Sequence, residues 1–192
     1  MSAEKKVRKA PDWAVLSSAA GFTIWGFSLL LTRVGQRYAS PMVLLSVRFL
    51  LAFALLNVPL LLGKEKLRLR GRRLRPLVVL GILEPLCFVF ESYAIYFTNA
   101  TVTGVVSALS PIVAMVLAAL LLRERPTRHQ ALFSLLPVAG VIVLTAAGQQ
   151  VGAVSWMGIP FLAAYSIGSG YYKVANRSAA DFSPYERTYV LL

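Results

Sequence analysis

Histidine and cysteine occur once each, as His129 and Cys87, in a chain of 192 residues. One thiol closes no intrachain disulfide, and one imidazole with one thiol makes no His or Cys cluster for a metal. Acidic residues are scarce as well. There are 8 Asp+Glu against 20 Lys+Arg, and charged residues total 15%, where a soluble domain carries about 25%. No nucleophile–base pair, glycine-rich phosphate loop or ATP motif is present, and His129 falls in a polar turn. A membrane-embedded enzyme is therefore the last of the readings considered, and nothing calls for a cofactor.

What the sequence has in quantity is apolar residues, 57% of the chain. They come in runs of 18 to 23 separated by short polar clusters, and such runs match a hydrocarbon layer ~30 Å thick. The pattern predicts six transmembrane helices, at about Trp13–Leu31, Pro41–Gly63, Pro76–Phe97, Gly104–Leu122, Ala131–Gly148 and Gly152–Val174. The expected fold class is an all-α integral membrane protein, a polytopic helix bundle with no room for a soluble domain. A short basic tail precedes the first run, and Arg33 and Arg37 follow it without a small-residue cleavage pattern. The first helix is therefore expected to be retained, not cleaved as a signal peptide.

Positive charge alternates along these spans. The tail, the loop after helix 2, the turn after helix 4 and the segment after helix 6 together hold 17 Lys+Arg, whereas the opposite side holds 2, Arg33 and Arg37. Cytoplasmic loops are Lys/Arg-enriched, so the N-terminus is expected in the cytoplasm of a multi-pass protein of the cell (plasma or inner) membrane. The basic stretch Lys64–Arg75 reads as a topology anchor that also meets anionic lipid headgroups. Nucleic acid is not an expected partner. Asn99-Ala100-Thr101 and Asn176-Arg177-Ser178 match the glycosylation pattern by chance, the one at the membrane surface and the other on the cytoplasmic side.

A shift of 143 residues lays Trp13 on Trp156 and Ser40-Pro41 on Ser183-Pro184, with six identities in the 37 positions Trp13–Phe49. This offset spans five helices. An odd number makes the second copy enter the membrane from the opposite face, the inverted repeat common among carriers. The expected domains are 1–148, a first five-helix repeat, and 149–192, helix 6 with the beginning of helix 7. The chain then reads as the first half of an inverted five-plus-five repeat, whose completion needs a C-terminal half or a homodimer.

Charges within bilayer spans cost about 2.5–3.5 kcal/mol each and tend to be functional. Three stand out: Arg48, Glu84 and Glu91. The two glutamates lie seven residues apart on helix 3, which puts them on one face and ~10.5 Å apart along the axis. Arg48 and Glu91 are expected at one depth, where a structural pair and a substrate role both remain open for Glu91. Glu84 is expected deeper, with no evident cation at its level, followed by Pro85, which frees a carbonyl and favours a kink. Its open roles are proton carrier, substrate contact, or a protonated group that only bonds a neighbour. Trp25 and Tyr93 are candidates to line a substrate path, as is Tyr165; Tyr96 suits an interfacial anchor. Pro111 is expected to kink helix 4, Gly168 and Gly170 to allow close helix approach, and Glu124 to sit in a cluster with Arg123, Arg125 and Arg128.

Several stretches carry a resemblance. Ile24-Trp25-Gly26-Phe27-Ser28 in helix 1, Ser40-Pro41 followed by Arg48-Phe49, and above all the run from Tyr93 to Glu124, an apolar helix centred on proline and closed by glutamate, resemble the EamA-type permeases of the drug/metabolite transporter superfamily. The likeness covers about residues 13–187. It implies a ten-helix fold in two repeats and a secondary active transporter, of drug/metabolite exporter type, that moves a small-molecule substrate by alternating access. Glu84 or Glu91 would exchange a proton for that substrate. The reading from another class is a non-transporting membrane scaffold or subunit, or an inactive fragment of a ten-helix carrier.

Overall fold

A computed structural model describes residues 12–65, 67, 72–123, 126–146 and 155–192. These form α1 (Asp12–Gly35), α2 (Pro41–Leu61), α3 (Arg75–Phe97), α4 (Ala100–Ala108), α5 (Ser110–Leu121), α6 (Arg128–Ser134), α7 (Leu136–Ala146), α8 (Ile159–Ala175) and α9 (Pro184–Leu191), with 3₁₀ turns at Trp156–Gly158 and Asn176–Ala179. No strand occurs among the described residues. Most of the N-terminal tail, the centre of the basic stretch, Glu124 with Arg125, and the expected helix 5 to helix 6 turn lie outside them.

Three of the described helices are long and apolar enough to cross a bilayer: Pro41–Leu61, Arg75–Phe97, and the α4–α5 pair over Ala100–Leu121. Their burial is inverted relative to a soluble protein. Leu50, Leu55 and Leu61 on α2 are 69%, 71% and 83% exposed, while Glu91, Thr103, Ser110 and Ser169 are buried. An apolar surface this extensive suits lipid, not water.

Prolines decide where the helices begin and break. Pro41 and Pro184 each occupy a first helical position, where the missing N–H costs nothing. α3 runs unbroken through Pro85. The expected single helix over Gly104–Leu122 is corrected at both its start and its middle. It begins at Ala100, because the Asn99 side chain accepts from Val102 N at 2.8 Å and caps it. It is interrupted at Leu109, just ahead of Pro111, whose ring lacks the N–H that would reach back to Ser107. The expected helix from Ala131 is likewise moved. Thr127 and Gln130 form a capping box that starts α6 at Arg128, and the helix breaks at Leu135 ahead of Pro137.

α8 is the centre of the packing and runs antiparallel to α3. Gly158 lies against Thr98 and Phe97, Phe161 stacks on Tyr93 and Phe97, and Gly168 lies against Cys87. Further along, Leu77 and Leu80 pack with Tyr172, Ala175, Ala179 and Phe182. On its other side Gly170 meets Val113 and Ala114 of α5. Close approach at both glycines agrees with the expectation for helix 6.

Each end of the bundle is tied. At one end Arg33 donates to the carbonyls of Ile95 and Tyr96 at 3.0 and 3.1 Å, and Gln36 donates to Ser92 O at 2.8 Å. The Arg33 bonds close carbonyls that the C-terminus of α3 leaves open. At the other end Arg72 donates to Asp181 O and pairs with Glu186 at 3.3 Å, and Tyr185 donates to Leu56 O at 2.6 Å.

The two aligned Ser-Pro pairs have the same local structure. Ser40 caps α2 by accepting from Val43 N at 3.4 Å, and Ser183 caps α9 by accepting from Glu186 N at 3.1 Å. The second is a full capping box, with Ser183 N donating to Glu186 Oε2 at 2.9 Å. Ser183→Ala is expected to lower stability by about 1 kcal/mol, and Ser40→Ala by less. Thermal unfolding of the two variants in one detergent checks the order.

Candidate functional site

α3 carries two carboxyl groups into the interior of the bundle. Glu91 is 2% exposed, and Glu84 lies two turns earlier on the same face. The helices that wall this face are α1, which supplies Trp25, and α8, which supplies a polar stripe at Tyr165, Ser169, Tyr172 and Lys173. Together with Cys87 and Phe88 of α3 they enclose a cavity of about 120 Å³. Its walls are mostly apolar, and the two acids are the anionic groups within them.

The polar groups divide between the two acids. Tyr165 and Trp25 turn their O–H and N–H toward Glu91, and Arg48 is the cation whose field reaches it. The Tyr165 hydroxyl also shares a hydrogen bond with Ser107 Oγ at 2.9 Å. Even so, Glu91 Oε1 and Trp25 Nε1 are buried without a hydrogen-bond partner in the protein. Such an atom costs about 1–3 kcal/mol when it stays unpaired. Glu84 interacts with Glu91 and with Lys173. Lys173 in turn donates from Nζ to Ser110 Oγ, the first residue of α5.

Of the residues singled out in the sequence, Trp25, Glu84, Glu91 and Tyr165 come together in this cavity. Arg48 and Tyr93 do not line it. Arg48 lies over the ring of Phe88, 4.8 Å from its centroid. The Arg48–Glu91 pair, one of the two readings left open for Glu91, is not made as a contact: Arg48 acts on Glu91 through its field alone, and an ion pair is formed instead by Arg72 and Glu186. Tyr93 belongs to an aromatic stack with Phe97 and Phe161, at centroid distances of 6.2 and 5.3 Å. Pro85 and Pro111 lie outside the lining of this cavity, and Pro111 lines a second one.

Lys173 is the residue that sequence reasoning missed. It was counted with the loop charges at the end of helix 6, and Glu84 was expected to lack a cation at its level. Only the antiparallel packing of α8 on α3 brings it back to Glu84. A signal was present: on an otherwise apolar helix, Tyr165, Ser169 and Tyr172 or Lys173 recur at helical spacing on one face.

Two kinds of comparison place this chain in a family. The family model described as the EamA-like transporter family matches residues 12–146. A Bacillus subtilis (strain 168) protein named "Uncharacterized transporter YcxC" is 33% identical over 171 residues, 88% of this chain and 55% of its own. An Archaeoglobus fulgidus protein named "Uncharacterized transporter" is 31% identical over 134 residues, 69% of this chain and 47% of its own. The chain thus spans about half the length of these curated relatives. No solved structure matches it. An apolar exterior, spans of bilayer length, buried carboxyls between helices and the match over most of the chain agree: this is a multi-pass membrane protein of the EamA-like transporter family, of the drug/metabolite transporter type.

Proposed function

We propose that the chain is the front part of a secondary active carrier that moves a small metabolite by alternating access, with a proton exchanged at the α3 carboxyls. The observation that carries this reading is the cavity between α3, α1 and α8, where Glu84 and Glu91 meet Lys173. α8 is the first helix of the second repeat in the sequence alignment, and α1 and α3 belong to the first. The acids therefore lie where units 1–148 and 149–192 meet, the location at which inverted-repeat carriers hold substrate and coupling ion. The matched capping of α2 and α9 supports that repeat. A group shared by two repeats changes its surroundings when one rocks against the other, which is what coupling requires.

The same reading has six spans and a cytoplasmic N-terminus in the cell membrane. Its support is the distribution of Lys+Arg, 16 to 2 once Lys173 is placed within α8, and the tying of alternate loops at opposite bundle ends. Glu84 and Glu91 act on the proton and the substrate, Trp25 and Tyr165 wall the site, and Pro111 gives α4–α5 its break.

The test uses liposomes that hold the whole reading frame, an imposed pH gradient and an internal pH dye. A panel of amino acids and small organic acids is added outside. At least one solute is expected to dissipate the gradient faster than in empty liposomes. If labelled solute crosses without moving protons, the coupling part fails and the carrier part stands. If folded, inserted protein moves no solute of the panel in either direction, the carrier reading loses its support.

A further inference from the structure

A second cavity lies on the other side of Lys173. It has a volume of about 550 Å³ and is walled by α5, α6 and the end of α8. That is within the range of small-molecule sites, ~300–1,000 Å³. Its described lining includes two cationic side chains. Lys173 and Arg177, four residues apart and so one turn apart on the path from α8 into the 3₁₀ turn, both face it, and no carboxylate is among its described lining residues. Gln130 and Ser134 of α6 add polar groups. The rest of the wall is apolar, including Pro111, Met115 and Phe133.

Lys173 faces both cavities. On one side it interacts with Glu84, and its ammonium bonds Ser110 Oγ between the two. An ammonium has three donors, and one hydroxyl uses only one of them. A cation held among apolar helices is costly without a counter-ion. Glu84 provides one within the protein, and an anion in the larger cavity would provide another.

We infer that this larger cavity is an anion site. Lys173 and Arg177 bind the carboxylate or phosphate of a small molecule, and its apolar body lies along Pro111, Met115 and Phe133. Where the carrier reading above holds, this names the substrate class as organic oxyanions.

The test is equilibrium binding to the purified chain in detergent, followed by calorimetry, with benzoate, phenyl phosphate and benzylammonium as probes. At least one anion is expected to bind and the cation not to bind. Lys173→Gln and Arg177→Gln should each weaken the anion at least tenfold, and Lys173→Arg should retain it. Unfolding curves accompany every variant. Should Lys173→Gln fail to fold, Arg177→Gln and the cation control still decide. Benzylammonium binding as well as the anions, no binding of either anion to folded protein, or affinities untouched by both substitutions would overturn the site. Short-chain phosphatidylglycerol is the last arm. If it binds with the same Lys173 dependence and the soluble anions do not, the cavity holds a lipid headgroup and the solute assignment falls. Binding requires no flux, so the two readings fail separately: flux without anion binding sinks the site alone, and anion binding without flux sinks the carrier alone.

Discussion

In liposomes holding the whole reading frame, Glu84→Gln is expected to abolish pH-driven solute movement, a loss on the order of 100-fold or more, the range seen when a positioned proton-transfer group is removed. Glutamine keeps the size and hydrogen-bonding reach of the side chain but cannot release or take a proton at any working pH. It therefore tests titration apart from shape. Solute-for-solute exchange with no gradient should persist in the variant, because exchange needs the cavity and the rocking motion but no net proton transfer. Loss of the driven flux with exchange intact is the signature of a coupling group. Equal loss of both points to a packing role, and no loss of either would remove Glu84 from the mechanism. Lys173 sharpens the expectation. It is the one cation that interacts with Glu84 among the described residues, and Lys173→Gln should alter the pH dependence of the driven flux. A purely structural carboxyl would not transmit that change. Glu91 differs in kind: its surroundings are Tyr165, Trp25 and the field of Arg48, so Glu91→Gln should affect solute affinity more than coupling.

The parts of this site that could be read from the sequence are those set along one helix. The seven-residue spacing of Glu84 and Glu91 fixes them on one face of α3 whatever surrounds it, and the cavity lies on that face. Helix limits near proline were also legible, since Pro41 begins α2 where the chain predicts it. The break before Pro111 was expected as a kink in a single helix. It falls at Leu109 because proline disturbs the turn that precedes it. What the sequence did not reveal depends on the rotation of one helix against another. Depth reckoning put Arg48 near the level of Glu91, and Arg48 does lie over Phe88, about a turn from Glu91. Depth says nothing of azimuth, and the pair is not made. Tyr93 stays out of the lining for the same reason, its ring being turned into the aromatic stack with Phe161. Lys173 needed still more, the register of α8 against both α3 and α5.

That register rests on two glycines, and the second large effect follows from them. A Cβ built on Gly170 would lie 2.7 Å from Val113 Cγ1 and 3.2 Å from Ala114 N. Val113 is β-branched and stiff, and a backbone nitrogen inside α5 moves only with its helix. Gly170→Val is therefore expected to push α8 from α5 and destabilise the protein by about 2–3 kcal/mol, seen as a lower unfolding temperature in detergent. Gly168 meets Cys87 Sγ at 2.7 Å, so Gly168→Val should act similarly against α3. The control is Gly21→Ala on α1, where a Cβ meets nothing within 4 Å. Alanine is the better helix former by up to ~1 kcal/mol, so this variant should unfold no earlier than the parent. If Gly170→Val matched Gly21→Ala, α8 would not be held against α5. Both cavities would then lose the wall that carries Lys173, and the link between Glu84 and the larger cavity would go with it. A drop confined to the Gly168 and Gly170 variants would instead tie the stability of the fold to the same contact that sets Lys173 between its two partners.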